Sequence, residues 1–115
     1  MSDLYSKIIS CGSYLPEKVL TNHDLAEIVD TSHDWIYERT GIVQRHIAAE
    51  NESSVDMAYN ASLKAMSLAE LRPDDIDMII VATATPERKF PSTAVLLQNS
   101  LKIEKAFAFD VNAAC

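Results

Sequence analysis

Only two cysteines occur in the 115 residues, Cys11 and Cys115. So sparse a supply builds no disulfide framework, and no cysteine or histidine cluster has zinc-ligand spacing. His23, His33 and His46 are scattered, as solvated or half-buried histidines usually are. Basic residues are also short: 10 Lys and Arg against 17 Asp and Glu leave a formal net charge of -7. That argues against a general basic field for nucleic acid or an anionic membrane, while leaving room for a local basic site on one phosphorylated ligand. No apolar run approaches the ~20 residues of a membrane span. The first residues, MSDLYSKIISCG, lack the basic region and long apolar stretch of a signal peptide. The expectation is a cytoplasmic protein whose two thiols are free, with no nucleic-acid or membrane partner. Repeats and low-complexity linkers are absent too.

What is present reads as one globular α/β domain: 48% hydrophobic and 23% charged residues. Tyr5 to Cys11 has strand character and is broken by Gly12 and Pro16. Asn22 can cap a helix carrying Leu25, Ile28 and Val29 on one face. Thr31 or Ser32 can cap a short helix through Arg39, stopped by Gly41. Ile42 to Ala48 follows as a strand. Ser53 and Asp56 resemble a capping box opening a strong helix. Its stripe of small apolar residues (Val55, Ala58, Ala61, Ala65, Met66, Ala69) is core-packing material and allows an unusually close neighbour. Ile76 to Ala82 is continuously apolar, so a strand buried on both faces is expected. Pro91 suits a first helical position, and STAVLLQNSLKI continues that helix. Lys105 to Val111 is the next strand, and the order strand, helix, strand implies parallel pairing. In open α/β sheets the carboxyl edge of the strands is where ligands bind.

AFAFDVNAAC, residues 106 to 115, runs off that edge into a cysteine. A helix beginning at Cys115 would stabilise the thiolate through its free N–H groups and dipole. Asn112, Ala113 and Ala114 suit a sharp strand-to-helix turn. Placement alone also fits a buried, inert cysteine.

The stretches GSYLPEKVLTN, DTSHDWIYERTGIVQRHIA, IIVATATPERKFPS and AFDVNAAC resemble β-ketoacyl-acyl-carrier-protein synthase III, the initiating condensing enzyme of type II fatty acid synthesis. The resemblance covers essentially the whole chain. It implies a thiolase-like fold of layered αβαβα architecture, with residues 1–115 as the N-terminal part of the first thiolase-like half and the second half absent from the chain. It also implies that Cys115 is the reactive cysteine, while a required His and Asn come from the missing half. Cys115 would take an acyl group from acetyl-CoA or another short acyl-CoA. Malonyl-acyl-carrier-protein would then lose carbon dioxide and attack the acyl-cysteine. No cofactor is implied beyond the coenzyme A thioester that serves as substrate, and the expected assembly is a homodimer.

Trp35 and Arg39 stand four apart on one short helix and share a face. An indole can stack on adenine, and a guanidinium can stack or bind phosphate. The resemblance makes both of them contacts at the mouth of a CoA tunnel, with Thr31 nearby. On the residues alone, Trp35 could equally plug the helix onto the sheet while Arg39 pairs with Asp34 or Glu38. Phe90 reads as a core or hydrophobic-staple residue; the resemblance places it at the dimer interface, reaching the partner's acyl pocket. Arg88 and Lys89 beside it read as solvated.

Two local departures stand out: Ser10-Cys11 and Lys102 occupy positions where Gly is frequent in the family. TATPERKFP is variable, so primer length and branching stay open. Rival readings are a related condensing enzyme of secondary metabolism, a hydroxymethylglutaryl-CoA synthase, and a non-catalytic interaction domain with an incidental Cys115.

Overall fold

Side-chain hydroxyls start all four α-helices of the described residues. Thr21 Oγ1 accepts from the Asp24 amide at 3.1 Å, and the Asp24 carboxylate accepts from the Thr21 amide at 2.9 Å. Ser53 and Asp56 repeat that reciprocal pair at 3.2 and 2.8 Å. Ser32 Oγ takes the Trp35 amide, and Ser92 Oγ the Val95 amide. Each hydroxyl satisfies an N–H group that a first helical turn leaves without an intrahelical partner.

A computed structural model describes residues 4–112. The described residues divide into two compact units. Leu15–Glu52 contains strand β1 (Lys18–Thr21), helices α1 (Asn22–Ala26) and α2 (His33–Thr40), and strand β2 (Gln44–Ile47). β1 and β2 pair antiparallel, with Val19 opposite His46. Gly41 ends α2 in the left-handed region at φ 70°, as expected of a glycine stop. The expected Asn22 cap is displaced by one residue: Thr21 caps, and Asn22 lies inside the helix, fully buried. The helix is also shorter than its apolar pattern, ending before Ile28 and Val29, both of which are exposed.

The second unit carries α3 (Ser54–Leu68), a 3-10 turn (Pro73–Asp75), β3 (Met78–Ala82), α4 (Thr93–Ser100) and β4 (Phe107–Val111). β3 and β4 are parallel, with Ile79 opposite Ala108 and Val81 opposite Asp110. Ile79, Ala94, Leu97, Leu101 and Ile103 form its buried core, with Ala58, Tyr59 and Met66 of α3 packed against it. The α/β class expected from the strand–helix–strand order is the class observed.

Three local expectations are corrected. β3 is buried on one face only: Ile79 is 9% exposed, whereas Ile80 is 55% and its neighbour on β4, Phe109, is 44% exposed. Continuous hydrophobicity fits a strand that can be covered twice, but α3 and α4 supply a single cover. The expected strand from Tyr5 to Cys11 does not form, and residues 5–11 join neither sheet. Pro91 precedes the cap of α4 rather than opening the helix, because Ser92 takes the capping role.

The alanine stripe does admit a close neighbour. Gly12 lies against the backbone of α3, and Ser10 Oγ donates to the Ala65 carbonyl at 2.8 Å. A Cβ on Gly12 would fall 2.6 Å from the Ala65 nitrogen and closer still to the Ala61 carbonyl oxygen. Helix backbone cannot yield as a side chain can. Gly12→Ala is therefore expected to cost about 1–3 kcal/mol, the range of overpacking. Urea denaturation of the two proteins measures it; equal midpoints would show that the segment docks elsewhere.

Candidate functional site

Fully buried Asn22 organises the candidate ligand face of the Leu15–Glu52 unit. Its side chain donates to the Ile42 carbonyl at 2.6 Å and lies 3.3 Å from His33 Nδ1. It accepts from Arg45 Nη2 at 2.8 Å, and its own amide donates to the Val43 carbonyl. One residue thereby ties α1 to the start of α2 and to the segment entering β2. His33 stacks between His23 and Tyr37, with centroids 4.9 and 5.8 Å away. His46 Nδ1 meets the Pro16 carbonyl at 2.6 Å. Among the described residues no group of three or more His, Cys, Asp or Glu could hold a metal ion.

On that frame α2 presents Trp35, which is 53% exposed. The Arg39 guanidinium lies over the indole, 4.4 Å from its centroid, and Nη1 donates to the Trp35 carbonyl at 3.4 Å. Arg39 forms no ion pair with Asp34 or Glu38. The indole does not plug the helix onto a core; buried Ile36 is the residue that anchors α2. Trp35 and Thr31 line an open cleft of about 670 Å³, walled by Leu25 and Val29 and by the polar Asp30 and Ser32. Thr31 and Trp35 are thus brought together in the cleft, while Arg39 is joined to them through its stack on the indole and is not part of the lining. The cleft thus offers an aromatic ring and an apolar wall, with a guanidinium stacked over that ring.

Phe90 belongs to the other unit and is 88% exposed. It is neither core nor staple, since α4 starts two residues later than Pro91 would have started it. Cys115, the expected nucleophile, lies outside the described residues. What leads to it is described: β4 ends at Val111, and the Asp110 carboxylate accepts from the Thr93 and Ala94 amides at 2.8 and 2.7 Å. Cys11 is an exposed free thiol.

Sequence reasoning missed Glu87. Its carboxylate accepts from the Val55 amide at 2.8 Å and from the Thr93 hydroxyl at 3.3 Å. Burial pushes this carboxyl up, but hydrogen bonds from its own amide, the Val55 amide, Thr93 and Ser53 outweigh that and hold it below its ordinary value. No local signal could have found it, because Val55 is 32 residues away in the chain.

No protein-family profile matches the chain. Individual proteins do. The chain is similar over nearly its whole length to β-ketoacyl-[acyl-carrier-protein] synthase III. The protein of that name from Xylella fastidiosa is 57% identical over 112 residues, covering 97% of this chain and 35% of the relative. The crystal structure of 3-oxoacyl-[acyl-carrier-protein] synthase III from Aquifex aeolicus superposes with a TM-score of 0.85 at 52% identity, covering 91% of this chain and 34% of that one. The priming β-ketosynthase of a polyketide biosynthetic pathway gives a TM-score of 0.89 at 33% identity, covering 95% and 33%. The α/β fold is the thiolase-like one of these condensing enzymes. The chain spans about a third of the length of the relatives it matches.

The Asp24 capping contact yields a pH prediction for the unit that holds the cleft. Hydrogen bonds from the Thr21 hydroxyl and then the Thr21 amide hold the Asp24 carboxyl below its ordinary 3.8. A lowered folded-state value means that the unfolded chain takes up the proton more readily. The stabilisation is therefore present above pH 3.8 and is lost as pH falls through the lowered value. Asp24→Asn should be less stable than the parent at neutral pH, with the gap closing in acid. Denaturation midpoints across that range check this, and a pH-independent gap would exclude the charge as its source.

Proposed function

We propose that this chain is the N-terminal part of the first thiolase-like half of a β-ketoacyl-acyl-carrier-protein synthase III, and that the whole protein starts fatty acid synthesis by condensing a short acyl-CoA with malonyl-acyl-carrier-protein. The observation that carries this reading is the 57% identity over 112 residues with a protein of that name. The open apolar face of the β3–β4 sheet supports the placement: Met78, Ile80, Phe107 and Phe109 are the surface that a further layer of polypeptide would bury.

In this reading the Cys115 thiolate attacks the thioester carbonyl of acetyl-CoA. The carbonyl carbon–sulfur bond to CoA breaks and CoA leaves, so an acyl-cysteine remains. Malonyl-acyl-carrier-protein loses carbon dioxide, and its carbanion attacks the acyl carbon and expels the Cys115 thiolate. Backbone N–H groups, including that of the cysteine, hold the oxyanion. The resemblance assigns enolate stabilisation to a His and an Asn outside these 115 residues. Coenzyme A thioester enters as substrate, and no cofactor is assigned.

Trp35 and Arg39 grip the CoA nucleotide at the cleft, with Thr31 beside them. Asp30 lines the same cleft, so the phosphates belong on the Arg39 side. The protein is assigned to the cytoplasm and to a homodimer in which Phe90 reaches the partner's acyl pocket. Exposure of that ring supports the last point. No helix among the described residues is long and apolar enough to cross a membrane. A priming condensing enzyme of secondary metabolism shares the acyl-cysteine step and has the TM-score of 0.89 in its favour. Identities of 57% and 52% against 33% favour the fatty acid reading.

Two experiments on the whole protein test this. Cys115→Ser should abolish acyl transfer from labelled acetyl-CoA, because a serine hydroxyl without a strong base is a far poorer nucleophile. Cys11 should stay unlabelled. Full-rate labelling of the serine variant would refute the nucleophile. Trp35→Ala should weaken acyl-CoA binding by roughly 1–3 kcal/mol, the scale of a base–aromatic stack, with little change in the step from the acyl-enzyme. Arg39→Lys should not restore Arg39 function, since an ammonium neither stacks nor forks. A Trp35→Ala protein that melts early but binds CoA normally would move the nucleotide site elsewhere.

A further inference from the structure

Phe90 has a placement problem. Its ring is 88% exposed, so its own packing hardly holds it. Its position must come from the backbone on either side. After Phe90, the chain is fixed at once: Ser92 caps α4, and the Asp110 carboxylate accepts the Thr93 and Ala94 amides. Before it, the loop leaves β3 with the Thr83 amide bonded to the Val111 carbonyl at 3.1 Å, and the Thr85 amide meets Thr83 Oγ1 at 3.1 Å. Between Thr85 and Ser92 the side-chain anchor is Glu87. One carboxylate oxygen takes the Val55 amide at the start of α3, and the other takes the hydroxyl of Thr93, which is itself almost fully buried. The segment from Arg88 to Pro91 thus hangs between two carboxylate-held points.

We propose that Glu87 is the positioning residue of the Phe90 loop: by bracing the loop on Val55 and Thr93 it sets where the Phe90 ring is presented, and through that ring it tunes which acyl-CoA primers are accepted. This rests on the reading of Phe90 as a wall of the acyl pocket. Glu87 touches neither substrate nor nucleophile in this role. Two hydrogen bonds to a charged acceptor are strong enough to bias a loop of this length toward one conformation. Loss of both leaves the loop anchored only at its ends, with the ring free to occupy several positions, and loss of one loosens it in part.

The test uses the whole enzyme and the ratio of kcat/KM for acetyl-CoA to that for hexanoyl-CoA. A residue that only supports stability lowers both values together and leaves the ratio alone. Phe90→Ala establishes whether the ring selects primers. Glu87→Ala, which loses both bonds, should move the ratio in the same direction by at least roughly fivefold, the effect of a single hydrogen bond of ordinary strength. Glu87→Gln, which still accepts from the Val55 amide, should restore most of it. Thr93→Val keeps the buried shape and removes the hydroxyl, so it gives a partial shift even if Glu87→Ala folds poorly. Amide exchange at Val55 should rise in Glu87→Ala and not in Phe90→Ala. A ratio that moves in Phe90→Ala but stays fixed in Glu87→Ala and Thr93→Val overturns the positioning role and leaves the pocket reading intact. A ratio indifferent to Phe90→Ala removes Phe90 from the pocket, and the selectivity role of Glu87 falls with it.

Discussion

The Asp110 carboxylate is the contact on which the β3–α4–β4 unit turns. It stands on β4, opposite Val81 of β3, and accepts the Thr93 and Ala94 amides at the start of α4. A helix start leaves its first N–H groups without intrahelical partners and carries partial positive charge, so an ionised carboxylate there makes two charge-assisted hydrogen bonds at once. The bond is long-range in sequence and short in space. It locks the carboxyl end of one strand to the beginning of the helix that precedes it. Ala94, Leu97 and Leu101 of that segment then fall on Ile79 and complete the buried core. The same lock fixes the strand end from which the chain proceeds to Asn112 and toward Cys115.

Asn22 plays the corresponding part in the Leu15–Glu52 unit, with neutral chemistry. An amide has one acceptor and two donor hydrogens, and a buried one left unsatisfied costs about as much as several surface contacts supply. Here the oxygen meets Arg45, and the nitrogen meets Ile42 and faces His33. Satisfaction of the whole group fixes α2 in orientation, and Trp35 can then be offered outward without relying on its own burial. A site that must release its ligand is better built this way. In the proposed CoA site the Trp35 ring stays exposed while its mount is rigid.

Legibility of the sequence followed the range of each interaction. Ser32, Gly41 and the Ser53–Asp56 pair were readable because a cap is satisfied within three or four residues. The parallel pairing of β3 with β4 was readable because a strand, a helix and a strand in short succession leave little other choice. The shared face of Trp35 and Arg39 followed from helical spacing, although their cation–π contact in place of an ion pair did not. Asn22 was misread as a cap because its partners come from Ile42 and Arg45, far along the chain, while Thr21 beside it was the better-placed hydroxyl. Glu87 escaped notice for the same reason. The reading of Cys115 as the nucleophile rested on resemblance, since its placement alone also fits a buried, inert cysteine.

The one-sided burial of β3 shows why periodicity answers only half of a packing question. Met78, Ile79, Ile80 and Val81 are apolar on both pleats, and such a strand is unfavourable in water unless both faces are covered. α3 and α4 cover the Ile79 side. Met78, Ile80, Phe107 and Phe109 line the other side in register, and they are aromatic and aliphatic without a charged residue among them. At roughly 25 cal/mol for each Å² of apolar surface removed from water, covering four such side chains contributes several kcal/mol. That is comparable to the whole stability of a small domain. Among the described residues that face is left uncovered, which is the deficit the proposed further layer would fill. Residues 5–11 likewise have strand chemistry, with Tyr5, Ile8 and Ile9 exposed, but join neither sheet.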